Sequence, residues 1–283
     1  MESQEKHRLL LPRYKKLGMP PSITDKAVEL AKRLNTVKDI MAREVVKVNP
    51  VQDMAWAARI MGTMHIGSLI VIDENPIGIV TERDLLSDII ALGRDPKRVQ
   101  VRAVMSSPLV TIGPNASIKE AAKLMIRRRG RLVVMDDDEL VGIVTASDLV
   151  KTLPDIGATY IQVYEYMTKG VLTSDESALI SDLAKIMGEK RIGSVIITEN
   201  GEPIGIFTER DLLTTFLAEG KDLDVPVGEF ASKPLLVSNP QISIHEAASI
   251  MSTQGIKRLP IMNDMDELIG IITARDLVEV YSR

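Results

Sequence analysis

The chain contains no cysteine and only three histidines among its 283 residues. The lack of cysteine excludes disulfide bonds, thiolate zinc sites, iron–sulfur clusters and a cysteine nucleophile. The histidines, His7, His65 and His245, are scattered along the sequence, so we expect no metal site. The sequence also lacks a Walker A loop and a recognisable nucleophile–base arrangement, which predicts that the protein is not an enzyme.

Aromatic residues are scarce as well, at 3%, whereas hydrophobic residues make up 45% of the chain and can build an aliphatic core. The net charge of −4 gives no broad attraction to nucleic acid or to an anionic membrane. The N-terminus does not resemble a signal peptide, and no apolar run approaches the roughly 20 residues that span a bilayer. We therefore expect a cytoplasmic protein whose partners are neither membranes nor nucleic acids.

One nine-residue pattern occurs four times in the chain. Its first copy reads Gly-Ile-Val-Thr-Glu-Arg-Asp-Leu-Leu from Gly78, and the other copies begin at Gly142, Gly205 and Gly270. Each copy follows a short β run, an amphipathic helical stretch, an apolar strand and a polar turn. In the stretch that leads to the second copy, Ser117 and Glu120 have the spacing of a capping box at the start of the helix. The sequence therefore predicts four βαββα repeats in an α/β (α+β) protein.

The repeats alternate in type along the chain. Repeats 1 and 3 have Ile-Gly-Ser before the middle strand, whereas repeats 2 and 4 have the basic residues Arg131 and Arg258 there. This alternation favours a duplicated pair, so we expect repeats 1 and 2 to form one module and repeats 3 and 4 another. The predicted boundaries are an N-terminal extension with one helix at 1–36, followed by repeats at 37–92, 99–152, 161–219 and 225–283.

The repeat resembles the CBS (cystathionine β-synthase) motif, through its Gly-x-x-Thr-x-x-Asp element and the Leu-Pro-Ile-Met strand that begins at Leu259. The resemblance covers about residues 37–283. It implies that the motifs pair into two pseudo-two-fold Bateman modules in a disc-like assembly, similar to stand-alone archaeal CBS proteins and to the γ subunit of AMP-activated protein kinase. It also implies AMP, ADP or ATP as a ligand in clefts between paired motifs, no obligatory cofactor, and a regulated partner protein of unknown identity.

The repeated Thr-x-x-Asp element has chemistry that suits a nucleotide. An ionised aspartate can accept from both ribose hydroxyls, and a threonine at a helix start lies where backbone amides favour phosphate. A residue two positions after each threonine could add a further phosphate contact. The candidate residues from these positions are Thr81, Arg83 and Asp84; Thr145, Ser147 and Asp148; Thr208, Arg210 and Asp211; and Thr273, Arg275 and Asp276.

Further site residues are expected beside this element. The resemblance implies phosphate contacts from the basic residues before the middle strand of repeats 2 and 4, which are Arg131, Lys257 and Arg258. Apolar residues near the first strand of each repeat are expected to form a wall for adenine, and these are Val46, Leu109, Val171 and Leu235. Repeats 2 and 4 are therefore better equipped for phosphate than repeats 1 and 3.

Several alternatives remain at this level. The Thr-x-x-Asp element would cap a helix equally well without any ligand. The repeats are also consistent with a sensor of S-adenosylmethionine or another adenosyl ligand, with a nucleic-acid-associated transcriptional regulator, or with a scaffold whose clefts stay empty. The sequence leaves open whether the modules close within one chain or pair with a second copy in a homodimer.

Overall fold

The computed structural model describes residues 13–18, 35–128, 130–152 and 160–283. The helix expected at 22–34 and most of the segment that links repeats 2 and 3 lie outside the described residues. The described α-helices are Val37–Ile40, Met54–Thr63, Glu82–Leu85, Ile118–Arg128, Ala146–Val150, Ile180–Lys190, Glu209–Asp211, Ile244–Gln254 and Ala274–Ser282. The described strands are Tyr14–Lys16, Lys47–Val48, Ser68–Asp73, Asn75–Thr81, Thr111–Ile112, Leu132–Asp136, Glu139–Val144, Thr173–Asp175, Ser194–Glu199, Glu202–Thr208, Leu235–Val237, Arg258–Met262 and Leu268–Thr273.

Each repeat has the βαββα order that the sequence predicts. In repeat 2 the strand Thr111–Ile112 precedes the helix Ile118–Arg128, the hairpin Leu132–Asp136 and Glu139–Val144, and the closing helix Ala146–Val150. The middle strand of the sheet pairs in parallel with the first strand and antiparallel with the last. Consequently, the last strand delivers the repeated threonine to the start of the closing helix, and the predicted fold class is confirmed.

The described residues form two compact units that each combine alternate repeats. The odd unit contains Val46–Leu109 and Leu172–Leu235, which carry repeats 1 and 3. The even unit contains the described residues of Lys16–Val45, Val110–Val171 and Leu236–Arg283, which carry repeats 2 and 4. In both units the core is mainly aliphatic, and in the odd unit it also contains the buried side chains of Phe207 and Phe216. The assembly of consecutive repeats into modules stays a prediction.

The opening segments of consecutive repeats are exchanged. Ala42, which precedes the first strand of repeat 1, exchanges backbone hydrogen bonds of 2.9 and 3.0 Å with Ile143 of repeat 2. Thr168, from the opening segment of repeat 3, pairs in the same way with Ile271 of repeat 4. Conversely, Ser106 from the start of repeat 2 pairs with Ile79 of repeat 1. The last strand of these repeats therefore pairs with a segment that the sequence assigns to a different repeat.

In the odd unit the helices of repeats 1 and 3 approach each other closely. A Cβ atom added at Gly62 would lie 2.3 Å from the Cβ of Ala218, and one added at Gly188 would lie 2.5 Å from the Cβ of Ala91. The closing helices widen into π-helical turns at Leu86–Ile90 and Leu212–Leu217. Gly188 packs against the first of these turns and Gly62 against the second. Glycine is favoured at both positions because a larger residue would overlap the alanine side chain of the facing repeat.

Candidate functional site

All four Thr-x-x-Asp elements form capping boxes where the last strand becomes the closing helix. In repeat 4, the amide and the hydroxyl of Thr273 both donate to Oδ2 of Asp276 at 2.8 Å. The amide of Asp276 donates to the threonine hydroxyl oxygen at 3.4 Å. The helix-cap interpretation is therefore confirmed. The cap uses about half of the acceptor positions of the carboxylate, so it is compatible with a further bond to a hydroxyl donor.

The same geometry recurs in the other repeats. The threonine amide and hydroxyl lie 2.8 and 2.8 Å from the aspartate in repeat 1, 3.0 and 2.7 Å in repeat 2, and 2.8 and 2.8 Å in repeat 3. The pairs are Thr81 and Asp84, Thr145 and Asp148, and Thr208 and Asp211. The four candidate sites thus share one local framework, and differences among them must come from the residues around it.

The first such difference lies on the middle strand, directly beside the threonine. Arg258 pairs with Thr273 across the antiparallel strands of repeat 4. The equivalent partner is Ser68 opposite Thr81 in repeat 1 and Ser194 opposite Thr208 in repeat 3. Directly opposed residues have Cβ atoms about 4.5–5.5 Å apart, so their side chains share one face of the sheet. The basic residue that the sequence singles out therefore borders the capped helix start.

The other basic residues of the even unit occupy related positions. Arg131 comes immediately before Leu132, whose partner Val144 precedes Thr145, so Arg131 continues the register towards that threonine. Lys257 lies one residue before Arg258, and its carbonyl accepts from the amide of Ala274 at 2.9 Å. Arg131 and Arg258 are half-buried, whereas Lys257 is exposed.

In the odd unit the predicted phosphate ligands Arg83 and Arg210 form ion pairs. Arg83 Nη2 lies 3.7 Å from Oε2 of Glu209, and Arg210 Nε lies 3.3 Å from Oε2 of Glu82. The pairing is reciprocal, because each arginine meets the glutamate of the facing repeat. The glutamate side chains are only 6% and 10% exposed. Arg210 also donates to the carbonyl of His65.

The closing helices of repeats 2 and 4 pack against each other in the even unit. Alanine stands at the positions of the two glutamates, at Ala146 and Ala274. Ser147 and Arg275 stand at the positions of the two arginines. Replacement of the glutamates by alanine removes both carboxylates that neutralise these positions in the odd unit. At these two positions repeat 4 therefore has one net positive charge, from Arg275, whereas repeat 2 is neutral, as are the paired positions of the odd unit.

A cleft of about 330 Å³ in the even unit reaches Asp276. It is lined by Asp276, Glu279 and Arg283 from the closing helix of repeat 4, and by Glu165 and Tyr166 from the exchanged opening segment. Burial raises the pKa of Asp276, and the neighbouring Glu279 raises it further, while the hydrogen bonds from Thr273 lower it. Asp276 is thus a partly desolvated carboxylate at the edge of a cavity.

One arginine connects the two walls of this cleft. Arg283 Nη2 lies 3.3 Å from Oε1 of Glu279, and Nη1 donates to the Tyr166 hydroxyl at 3.3 Å. The guanidinium also lies 5.1 Å from the centre of the tyrosine ring, which favours a cation–π contact. In repeat 2 the corresponding aspartate, Asp148, instead has Lys151 Nζ 3.5 Å from its Oδ1.

The model of the CBS domain family matches residues 37–91, 101–155, 163–218 and 227–283. The chain belongs to the CBS-domain family. It is 37% identical over 122 residues to the protein MK0525 of Methanopyrus kandleri, an alignment that covers 42% of this chain and 62% of that protein. It is 34% identical over 115 residues to the CBS domain-containing protein YhcV of Bacillus subtilis, with 41% and 81% covered.

A solved CBS structure covers most of the chain. Protein MJ1225 of Methanocaldococcus jannaschii, described as a proposed archaeal homolog of g-AMPK, superimposes with a TM-score of 0.75 at 20% identity. The superposition covers 87% of this chain and 99% of that structure. At this identity the likeness shows a shared fold. The chain spans about three fifths of the length of MK0525.

The predicted adenine wall of the CBS motifs is not uniform. Val46, Leu109 and Val171 are half-buried and precede the first strands of their motifs, so they stay candidates for contact with a base. Leu235 lies within its strand and is 1% exposed, so it offers no accessible surface in this arrangement.

Glu165, Tyr166, Glu279 and Arg283 were not among the residues that the sequence singles out. Glu279 and Arg283 follow Asp276 by three and seven residues on one helix, so helical spacing could have indicated them. Tyr166 reaches repeat 4 through the exchanged segment, for which the sequence carries no signal. Among the described residues, no helix is long and apolar enough to cross a membrane, and no cluster of acidic and histidine side chains is suited to a metal ion.

Proposed function

We propose that this CBS protein is a regulatory sensor that binds an adenine nucleotide, AMP, ADP or ATP, and transmits its occupancy to a partner protein. The observation that carries the proposal is the position of Arg258 directly opposite Thr273. Thr273 in turn lies three residues before the partly desolvated Asp276. This arrangement places a cation beside a helix start whose carboxylate, Asp276, lines a cleft. A nucleotide has a phosphate and a ribose that would use these groups.

Each part of the ligand has a matching group in repeat 4. The ionised carboxylate of Asp276 would accept from the vicinal ribose hydroxyls, which are both donors. The start of the nine-residue helix Ala274–Ser282 favours an anion, and Arg258 and Arg275 would add charge-assisted bonds to phosphate. Lys257 is exposed beside Arg258 and could extend these contacts to a second phosphate.

Repeat 2 would form a similar site with a different balance of charge. Thr145, Ser147 and Asp148 form the helix start, and Arg131 precedes the middle strand. Ser147 provides a hydroxyl where repeat 4 has Arg275, so this site has one cation fewer. We therefore expect repeat 4 to bind phosphate more tightly than repeat 2.

Regulation would follow from coupling between the bound ligand and the packing of the repeats. The exchanged opening segments place Glu165 and Tyr166 of repeat 3 beside the site in repeat 4. A ligand that contacts both the closing helix and this segment would therefore change the connection between consecutive repeats. Coupling free energies of this kind are typically about 1–3 kcal/mol, enough to alter the affinity for a partner several-fold.

Calorimetric titration of the full chain with AMP, ADP, ATP and S-adenosylmethionine tests the proposal. We expect at least one of the three nucleotides to bind, and Asp276→Ala to weaken its binding by about tenfold or more. The matched control is Asp138→Ala, which removes an exposed carboxylate from the hairpin turn of repeat 2 and should bind as the wild type does. Binding of S-adenosylmethionine alone, or of none of the four ligands, would contradict the proposal.

A further inference from the structure

The two glutamates that pair with Arg83 and Arg210 stand at the helix starts where a phosphate would lie in repeats 1 and 3. We infer that Glu82 and Glu209 act as specificity determinants that exclude phosphate from the odd unit, so that the even unit alone takes anionic nucleotides. The inference rests on the proposed function, which it refines by assigning the nucleotide to two of the four repeats.

The first argument is the state of the arginines. Arg83 lies 3.7 Å from Glu209 and Arg210 lies 3.3 Å from Glu82, so both cations are already neutralised within the unit. An arginine that turned towards a phosphate would leave a glutamate carboxylate that is at least 90% buried. The attraction within an ion pair is stronger in a poorly solvated setting than in bulk water, so the glutamates compete effectively with an incoming phosphate for these arginines.

The second argument is the electrostatic effect of the glutamates themselves. Glu82 and Glu209 directly follow Thr81 and Thr208, and each is the first residue of its closing helix. A phosphate at the threonine would lie close to a carboxylate of the same sign in a poorly solvated setting. Each carboxylate also offsets the charge of an arginine beside it, so a phosphate at these helix starts would meet no net positive charge from the ion pairs.

The third argument is independent, because it comes from a different strand. The residues opposite Thr81 and Thr208 are Ser68 and Ser194, whereas Arg258 stands opposite Thr273. The odd unit therefore lacks the strand cation and also has its helix cations paired. Both differences reduce the affinity for phosphate in the same two repeats.

The first experiment isolates the odd unit within the full chain. Asp148→Ala and Asp276→Ala together remove the ribose acceptors of the even unit and leave the odd unit unchanged. We expect AMP to bind the wild type and calorimetry to detect no AMP binding to this double variant. Retention of AMP binding by the double variant at nearly wild-type affinity would overturn the inference alone, whereas a wild type that binds no adenine nucleotide would overturn the proposed function with it.

The second experiment removes the excluding charges. Glu82→Gln and Glu209→Gln, added to the double variant, keep the shape of both side chains and release Arg83 and Arg210 from their ion pairs. We expect AMP affinity to rise by about tenfold or more over that background.

The matched control for the second experiment is Glu176→Gln in the same background. It breaks the 3.2 Å ion pair with Lys233 in the odd unit, away from the helix starts, and should leave AMP binding unchanged. Thermal unfolding of each variant shows whether it is folded. If a folded Glu82→Gln, Glu209→Gln variant gains no affinity for AMP, or gains no more than the control does, the inference is wrong. The experiment on the double variant decides the question if these glutamine variants do not fold.

Discussion

Arg258 and Thr273 are directly opposed residues on the antiparallel strands of repeat 4, so the guanidinium and the capped helix start share one face of the sheet. Serine occupies the arginine position in repeats 1 and 3. The four repeats therefore have the same backbone framework and the same Thr–Asp cap, but different charge beside it. We expect this difference to decide which repeats bind phosphate.

Arg258→Gln should weaken binding of AMP by about tenfold and leave binding of adenosine nearly unchanged, because only AMP has a phosphate for the guanidinium. Parallel calorimetric titrations with the nucleotide and the nucleoside measure the effect. Arg128→Gln is the control, since this arginine is exposed at the end of a helix in the same unit. Equal loss of affinity for AMP and adenosine would show that Arg258 acts on the fold of the site and not on the phosphate.

The raised pKa of Asp276 predicts that nucleotide binding in repeat 4 depends on pH. Burial raises the pKa above the ordinary value of 3.8, and only the ionised carboxylate accepts from both ribose hydroxyls. Affinity should therefore fall as the pH is lowered through the raised pKa, at a higher pH than for an ordinary carboxyl group. Calorimetry at several pH values measures this, and Asp276→Asn should remove the dependence that comes from this residue.

The same shift has a consequence for stability without ligand. Because the folded-state pKa of Asp276 lies above its unfolded value, the group stabilises the folded state most when it is protonated. This contribution is present below the unfolded pKa and is lost as the pH rises through the folded pKa. Denaturant unfolding across this window should show the wild type losing stability relative to Asp276→Asn as the pH rises. A constant difference would contradict the raised pKa.

The sequence predicts the framework of this protein well because the framework is repetitive. The spacing of Thr81, Thr145, Thr208 and Thr273 locates each strand-to-helix junction, and an apolar run followed by a polar turn identifies the hairpin before each of them. The exchange of opening segments could not be predicted, because Ala42 carries no local mark of its pairing with Ile143. Such pairings depend on long-range topology and not on local propensity.

The charges at the site were predicted only in part. Arg83 and Arg210 have the sequence position of phosphate ligands, but their partners Glu209 and Glu82 come from another repeat more than 120 residues away. Only the folded unit shows that these arginines are already paired. The sequence does contain one usable signal, since glutamate and arginine occur together in repeats 1 and 3, whereas Ala146 and Ala274 replace the glutamates in repeats 2 and 4.

Loss of one helix cap should be measurable in the absence of any ligand. Thr81→Ala removes the hydroxyl that donates to Asp84 at 2.8 Å and accepts from its amide at 3.3 Å. We expect the free energy of unfolding to fall by about 1 kcal/mol, measured by denaturant titration. Thr81→Ser keeps the hydroxyl and should retain most of this stability. If serine is as destabilising as alanine, the cap does not explain the effect of the substitution.

Close packing between the helices of the odd unit predicts a compensating pair of substitutions. Gly62→Ala would place a Cβ atom 2.3 Å from the Cβ of Ala218 and should destabilise the protein by about 1–3 kcal/mol. Ala218→Gly removes the opposing atom, so the double variant should recover part of that loss in denaturant unfolding. Gly113→Ala is the control, because an added Cβ atom has no neighbour within 4 Å there, and its effect should stay within about 0.5 kcal/mol. Additive effects of the two substitutions would show that these residues do not contact each other in solution.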